Sequence, residues 1–423
     1  LNIEAKDITE ENFKMDEKFD VIIIGAGPAG CFSGIFASQR GKKVAIIDKN
    51  AQICKKLLLT GKGKCNLTNM NEINEEYISK YKNGKFLINS FSQFSNIDLF
   101  NFFEDNDLKL KIDTGKRVYP ESENSEDVVK IIRKILDRNR VRLFLKEKVL
   151  DLKREKNFFE IKTDKRDLKS EKVVIATGGK SFPETGSEGD GFIFASKFGH
   201  KIIKPVPALC GIEIKENFIK NLQGINLKNV LVSAFLNNKK IGQEFGEVLF
   251  THYGISGPAI LNLSGNVSEN IGKGKIKIII NFKPALNEEI LDKRLQREIK
   301  ENSNKILKNL FKNLLPSGLI LEFLKYSNID PEKKVNQLTK EERRILVNSL
   351  LNFSLTVKKT RPFYDSMVTR GGVCVNEINP KTMESKIING LYFAGEVIDI
   401  DGKTGGYNLQ ACFSTGYVAG MNI

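Results

Sequence analysis

The chain shows its first clear pattern at 20–24, where Asp20 is followed by four apolar residues, Val21 to Ile24. An unbroken apolar run of this length predicts a strand buried on both faces. GAGPAG at 25–30 interrupts it, and from Pro28 to Arg40 the apolar positions take helical spacing. Gly41 fits a helix C-cap, and KVAIID at 43–48 reads as a second strand. The stretch 20–48 is therefore expected to be one βαβ unit. The uncharged run from Val21 to Ser38 resembles a membrane span only by hydropathy, because its glycines and Pro28 divide it into strand, turn and helix.

Further along, 54–69 (CKKLLLTGKGKCNLTN) has the Gly, Lys and Asn content of a loop. Ser125–Arg138 has helical periodicity, 141–163 reads as strands with a hairpin, and Val173–Thr177 as a buried strand. Pro205 and Pro207 mark a boundary. Residues 208–284 carry short β-like segments such as KIKIIINF at 275–282, and 286–350 are helical in character. From 356 the chain returns to Gly-rich strand-and-turn sequence. The expected organisation is an α/β dinucleotide-binding domain over 19–204 and 356–423. An inserted domain at 205–355 interrupts it, β-rich over 205–284 and helical over 285–355.

Composition adds a bias toward polyanions. The 423 residues include 67 Lys and Arg against 52 Asp and Glu, a net charge of +15. Residues 130–172 hold sixteen basic and eight acidic side chains, and Leu291–Lys312 seven and three. Such a balance suits RNA, DNA or acidic lipid surfaces, although a Lys-rich proteome or a solvated helix face gives the same numbers. No RRM, KH or zinc-knuckle signature occurs. The six cysteines are single, which excludes a disulfide framework and suggests a reducing compartment. With two separated histidines and no Cys/His cluster, no metal site is expected. Residues 1–18 lack an apolar core and do not read as a signal peptide. These features describe a soluble cytoplasmic protein.

GxGxxG is a weak signal alone. Here it follows an apolar strand, opens a helix and precedes Asp48 at the end of the next strand. Gly25 allows the tight turn, Gly27 lets a pyrophosphate approach the backbone, and Gly30 lets helix and strand pack closely. The helix N-terminus offers N–H groups to the phosphates, and Asp48 suits a ribose diol. GLYFAGEVIDIDGKTGGYNLQACFSTGYVAG at 390–420 reads as strand, acidic turn, Gly-Gly loop and helix. A helix N-terminus at Gly405–Asn408 would face the negative charge of a reduced flavin, and Glu396 could bond its ribityl chain.

At this point the sequence resembles flavoproteins of the glutathione-reductase-like FAD fold, through GxGPAG with Asp48, IATGG at 175–179 and AGE at 394–396. More narrowly, KKLLLTGKGKCNLTN, LFTHYGISGPAIL (249–261), VTRGGV (368–373) and PKTMESKIINGLYFAGEVIDIDGKTGGYNLQ resemble one bacterial family across 19–420. Its members are known as aminoacetone-oxidase-like or BaiN-like FAD-binding oxidoreductases, and one branch as ribosomal RNA dihydrouridine synthases. The resemblance implies FAD as cofactor, held by Gly25, Gly27, Pro28, Ala29, Gly30, Asp48 and Lys49. It adds Lys56, Thr60, Gly61, Gly63, Lys64, Cys65 and Asn66 from the loop, with Val149, Ala176, Thr177 and Gly178. Gly395, Glu396, Gly405, Gly406, Tyr407, Asn408 and Leu409 complete the set. Lys64 stands where the family usually has Arg, which keeps the charge but not the planar fork.

No second strand–GxGxxG–helix unit is present, so NADH or NADPH would reduce the flavin without a dedicated Rossmann domain. Cys65, beside Lys62 and Lys64, is a candidate acid or nucleophile with a lowered pKa, or a small residue packed under the flavin. His252 and Tyr253 could meet substrate or bond locally in a tight turn. Arg370 could grip a carbonyl or phosphate. Cys412 is expected in the core. The resemblance implies reduction of a specific uridine of large-subunit rRNA, with hydride added at C6 and a proton at C5. The target base must be unstacked, which favours immature rRNA. The alternative is an FAD-dependent reductase or oxidase of a small enone or amine, and a non-enzymatic flavin-holding assembly factor is a third reading.

Overall fold

The computed structural model describes residues 18–423; the leader-like question at the N-terminus falls on 1–17, outside the described residues. The expected βαβ unit is present as β1 (Lys18–Ile24), α1 (Pro28–Gln39) and β2 (Val44–Asp48). β1 pairs in parallel with β2 on one side and with strand Asp167–Ile175 on the other. The sheet continues in parallel to Arg142–Leu145 beyond β2 and to Leu391–Phe393 beyond Asp167–Ile175. Val21, Ile22 and Ile23 are fully buried. Helices cover both faces of such a sheet, which is why its central strand is continuously apolar. A hairpin, Val149–Arg154 with Phe159–Thr163, leaves the sheet antiparallel from the first half of Asp167–Ile175.

The last helix, Tyr407–Met421, returns to the first one. A Cβ at Gly416 would lie 2.4 Å from Ala29 O, and one at Gly420 2.7 Å from Ser33 O. Ser33 Oγ donates to Gly416 O at 3.1 Å. Small residues on both helices thus pack the last helix closely against α1, beneath the dinucleotide turn.

The insert is a closed antiparallel barrel of six strands, in the order Ile212–Ile214, Gly254–Ser256, Lys239–Thr251, Asn226–Leu236, Ile276–Asn281 and Phe353–Thr360. Helices 288–301, 317–326 and 340–351 pack on it, and barrel and helices share one core that includes Phe311, Phe323 and Phe353. The closing strand runs through residue 355. The prolines at 205 and 207 do not end an element: both lie in strand Ile202–Ala208, paired with Val368–Val373. Its register shifts between Ile203 and Val206, and a bulge in a two-stranded ribbon is where a strand tolerates residues that cannot donate. This ribbon carries both chain crossings between the insert and the parallel-sheet part. Among the described residues no helix is long and apolar enough to cross a membrane, and no group of three His, Cys, Asp or Glu is placed to hold a metal ion.

His200 shows how the return strand is fixed. It is 3% exposed, its Nε2 is 2.8 Å from Ser385 Oγ, its Nδ1 is 3.2 Å from Glu377 Oε2, and its ring meets Phe393 edge-on. Burial lowers its pKa below the usual value, although Glu377 pulls the other way. The unfolded chain therefore binds this proton more tightly. The stabilisation is complete above pH ~6.5 and is lost as pH falls below it. Thermal unfolding between pH 7.5 and 5.5 is expected to show a fall in Tm, part of which disappears in His200→Gln.

Candidate dinucleotide site

The turn between β1 and α1 is built from contacts only glycine allows at two positions. Gly25 has φ +108°, and a Cβ there would lie 2.5 Å from Ala176 O; a Cβ at Gly30 would lie 1.9 Å from Gly25 O. Gly27 differs. Its φ is −74°, and a Cβ there would meet nothing within 4 Å. The fold itself does not need glycine at 27. The space above it belongs to an open cleft that runs along the turn.

Gly25, Gly27, Pro28, Ala29, Asp48, Lys49, Lys56, Val149, Ala176, Thr177, Gly178 and Glu396 all line this cleft. Asp48 Oδ2 accepts from Ala26 N at 2.7 Å, and Oδ1 from Asn50 N at 2.7 Å and Asn50 Nδ2 at 2.9 Å. A carboxylate has about four lone-pair sites, so room remains for one ribose hydroxyl. Lys49 is tied to Glu188 and Asp190, each at 2.6 Å. Thr177 Oγ1 is buried without a partner, a group that a ligand in the cleft could satisfy.

At the far end Glu396 Oε2 accepts from Lys56 Nζ at 2.7 Å. Its Oε1 accepts from Thr369 N at 2.7 Å and Ser181 Oγ at 3.0 Å. Gly395 packs between Ala29 and Cys412. Cys412 also lines the cleft, not the core alone, and burial pushes its thiol up to about 12. It lies three residues beyond Leu409, one helical turn along the same face, which was the available signal. Ser181, Asn50 and Thr185–Ser187 carried no motif, and Thr369 lay in VTRGGV without being singled out.

The loop 60–66 and the turn 405–409 do not line the cleft, but the structure packs them on each other. With its amide oriented to satisfy both neighbours, Asn66 accepts from Gly406 N at 3.1 Å and donates to Thr68 O at 3.0 Å. Asn408 is bonded to Gly402 N and O, each at 2.8 Å; Tyr407 packs edge-on against Tyr77 and Tyr81; Leu409 packs on the core. Thr60 Oγ1 donates to Leu57 O at 2.6 Å. Gly61, Lys62, Gly63 and Cys65 all take left-handed backbone angles. For Lys62 and Cys65 this is strain of the kind that collects at ligand clamps.

Four expectations about catalytic groups need correction or relocation. Cys65 is fully buried and its thiol is pushed up to about 12 by desolvation, not lowered. The lysines beside it in sequence are exposed, and Lys64 pairs with Glu123 on the surface. Arg370 is not free to grip substrate. Its Nε lies 3.0 and 3.1 Å from the two Asp401 oxygens, its Nη2 2.9 Å from Asp401, and its Nη1 reaches Asn266 at 2.5 Å and Glu269 at 3.5 Å. It clamps the insert's helix Pro258–Ser268 to the turn after strand Leu391–Phe393. His252 and Tyr253 line a separate hollow at the barrel.

Two outcomes follow from these contacts. Gly27→Val should fold with an unchanged apo Tm and fail to retain a dinucleotide, whereas Gly30→Val should not fold; differential scanning fluorimetry with cofactor quantitation separates them. Arg370→Ala leaves Asp401, 4% exposed, without its partner. Burial already pushes that carboxyl up against the pull of Arg370. The variant should lose about 3–5 kcal/mol, read as an early urea transition, and Arg370→Lys should recover part of it.

Comparison with known proteins places the chain. The HI0933-like protein Rossmann domain model matches residues 19–422. The 3-dehydro-bile acid delta(4,6)-reductase of Clostridium scindens is 30% identical over 94% of this chain and 97% of its own. The ribosomal RNA dihydrouridine synthase of Escherichia coli is 29% identical over 96% and 98%, and that of Haemophilus influenzae 29% over 97% and 99%. With its Rossmann turn, its parallel sheet and a family match along nearly its whole described length, the chain belongs to the HI0933-like family of FAD-dependent oxidoreductases.

Proposed function

We propose that the protein reduces the 5,6-double bond of a uridine in large-subunit ribosomal RNA, with NADH or NADPH as electron donor. The observation that carries this reading is end-to-end similarity to two proteins named ribosomal RNA dihydrouridine synthase, joined to a net charge of +15. FAD bound in the cleft would supply a hydride. The rest is the work of this chain. Gly27 leaves room for the pyrophosphate, and the first N–H groups of α1 and its dipole favour that charge. Asp48 has one free acceptor site for the ribose. Lys56 and Glu396 hold each other at the far end, so neither swings away when a ligand enters.

A buried thiol raised to about 12 is a poor nucleophile, because the thiolate is scarce. It is also a weak acid, and it lies buried outside the cleft lining. The reading of Cys65 as a small residue packed beneath the flavin is the better supported one. The uracil must leave its stack to be reduced. The basic helix Glu288–Glu301 contributes less than its composition implies: Lys293 pairs with Glu289 and Arg294 with Glu298.

A second reading has its own support, since the bile acid reductase is as similar as the RNA enzymes. On that reading the cleft serves a conjugated ketone and the charge is incidental. Mass spectrometry of rRNA from cells with and without the gene separates the two. Loss of a uridine two hydrogens heavier supports the first; unchanged rRNA with NAD(P)H-dependent reduction of a dienone supports the second. In the purified enzyme, Cys65→Ala should keep FAD and accept electrons normally. Its anaerobic reoxidation by an rRNA fragment should be close to normal; a slowing of about 10²–10⁴-fold, the worth of a positioned acid, would return Cys65 to the mechanism.

A further inference from the structure

A strip of surface joins the cleft to the barrel and carries aromatic faces beside cations. At the cleft end, Ser181 Oγ bonds Glu396 and lies 3.4 Å from Met367 O. Met367 is 48% exposed and Tyr364 57%. Between them and the cleft, Phe363 O accepts from Phe182 N at 3.1 Å, and Lys180 Nζ lies 5.9 Å from the Phe363 ring centre. On the barrel side, Arg361 sits 4.8 Å over the Tyr253 ring, which meets His252 edge-on at 5.0 Å. The hollow lined by His252 and Tyr253 adds Lys215, Lys220 and Lys358.

Two properties of this strip select its occupant. The carboxylates along it are already engaged: Asp365 and Glu213 bond Arg361, and Glu216 accepts from Thr356 N. Lys215, Lys220 and Lys358 make no ion pair among the described residues, unlike the laced cations of helix Glu288–Glu301. Arg361 and Lys359 offset Asp365 and Glu213, and the three lysines outnumber Glu216, so the strip keeps a net positive charge. It also presents a rigid aromatic face, because Tyr364 sits on a turn fixed by Pro362, by Asp365 N donating to Pro362 O at 3.0 Å, and by the Arg361–Asp365 pair. A rigid ring loses little entropy on contact. An acidic peptide would use the charge without the rings, and an apolar metabolite the rings without the charge. Single-stranded nucleic acid uses both.

Resting on the rRNA reading above, we infer that single-stranded RNA runs along this strip, with a base flanking the target stacked on Tyr364 and its phosphates tracked by Lys358 and Lys220. The strand approaches the cleft past the exposed Met367, whose carbonyl accepts from the buried Ser181 that also bonds Glu396.

The test uses the FAD-loaded enzyme, a fluorescent single-stranded oligoribonucleotide spanning the modified uridine, and the same sequence as a duplex. Wild type should prefer the single strand. Tyr364→Ala should weaken that binding by about 5- to 150-fold, the worth of one stacked base, with an unchanged slope of log affinity against log salt. Tyr364→Phe should retain it. Lys220→Glu with Lys358→Glu should flatten the salt slope. Wild-type enzyme that reduces the rRNA uridine, with Tyr364→Ala binding as tightly as wild type, overturns the strip and leaves the function standing. Wild type that neither binds nor reduces RNA overturns the function and the strip together.

Discussion

The approach of Gly30 to the carbonyl of Gly25 is the contact on which the site depends. It lets α1 begin directly against the end of β1, so that the helix's unpaired N–H groups face the same space as the open side of Gly27. Asp48 then reaches back to Ala26 N and ties the end of β2 to the turn. Cys54 N bonds Ala26 O and draws the following loop over the same turn. A side chain at Gly30 would push α1 away and open all three contacts at once.

The second constraint is that the site is assembled from distant segments. Glu396 meets Lys56 across 340 residues, and its other oxygen holds both Ser181 and Thr369. Arg370, on the strand beside the chain crossing, uses opposite sides of its guanidinium for Asp401 and for Asn266 of the insert. Lys82 adds a bridge from Glu269 to Asp399, and Lys403 pairs with Glu244 of the barrel at 2.6 Å. The insert is thus held against the parallel-sheet part by ions whose partners lie on both, and the wall of any substrate space between them is set by this network.

The βαβ unit was legible because its signal is local: a buried strand, a turn with glycines at fixed spacing, and an acid at the next strand end. Helix Ser125–Arg138 was legible for the same reason, its buried positions Val128, Ile132, Ile135 and Leu136 recurring at helical spacing. The barrel was visible only as β-like segments. Its closure needs Ile212 to pair with Ile255 on one side and Thr360 on the other, a register no window of sequence contains. The low pKa expected of Cys65 and the free guanidinium expected of Arg370 failed for separate reasons. For Cys65, adjacency in sequence was taken for adjacency in space, but left-handed residues at 62 and 65 separate the lysines from the thiol; for Arg370, the partners that occupy it lie up to 104 residues away.

The central claim is that the cleft over Gly27 is shaped for a dinucleotide, with the adenosine half between Asp48 and Val149 and the flavin end at Lys56 and Glu396. The direct test is chromatography of the cofactor released from purified protein, followed by titration of the apo form with FAD and with FMN. Released FAD, and apo protein that takes up FAD but not FMN, is the predicted result. Released FMN, or equal affinity for both, would show that the adenosine half of the cleft holds nothing and would contradict the account.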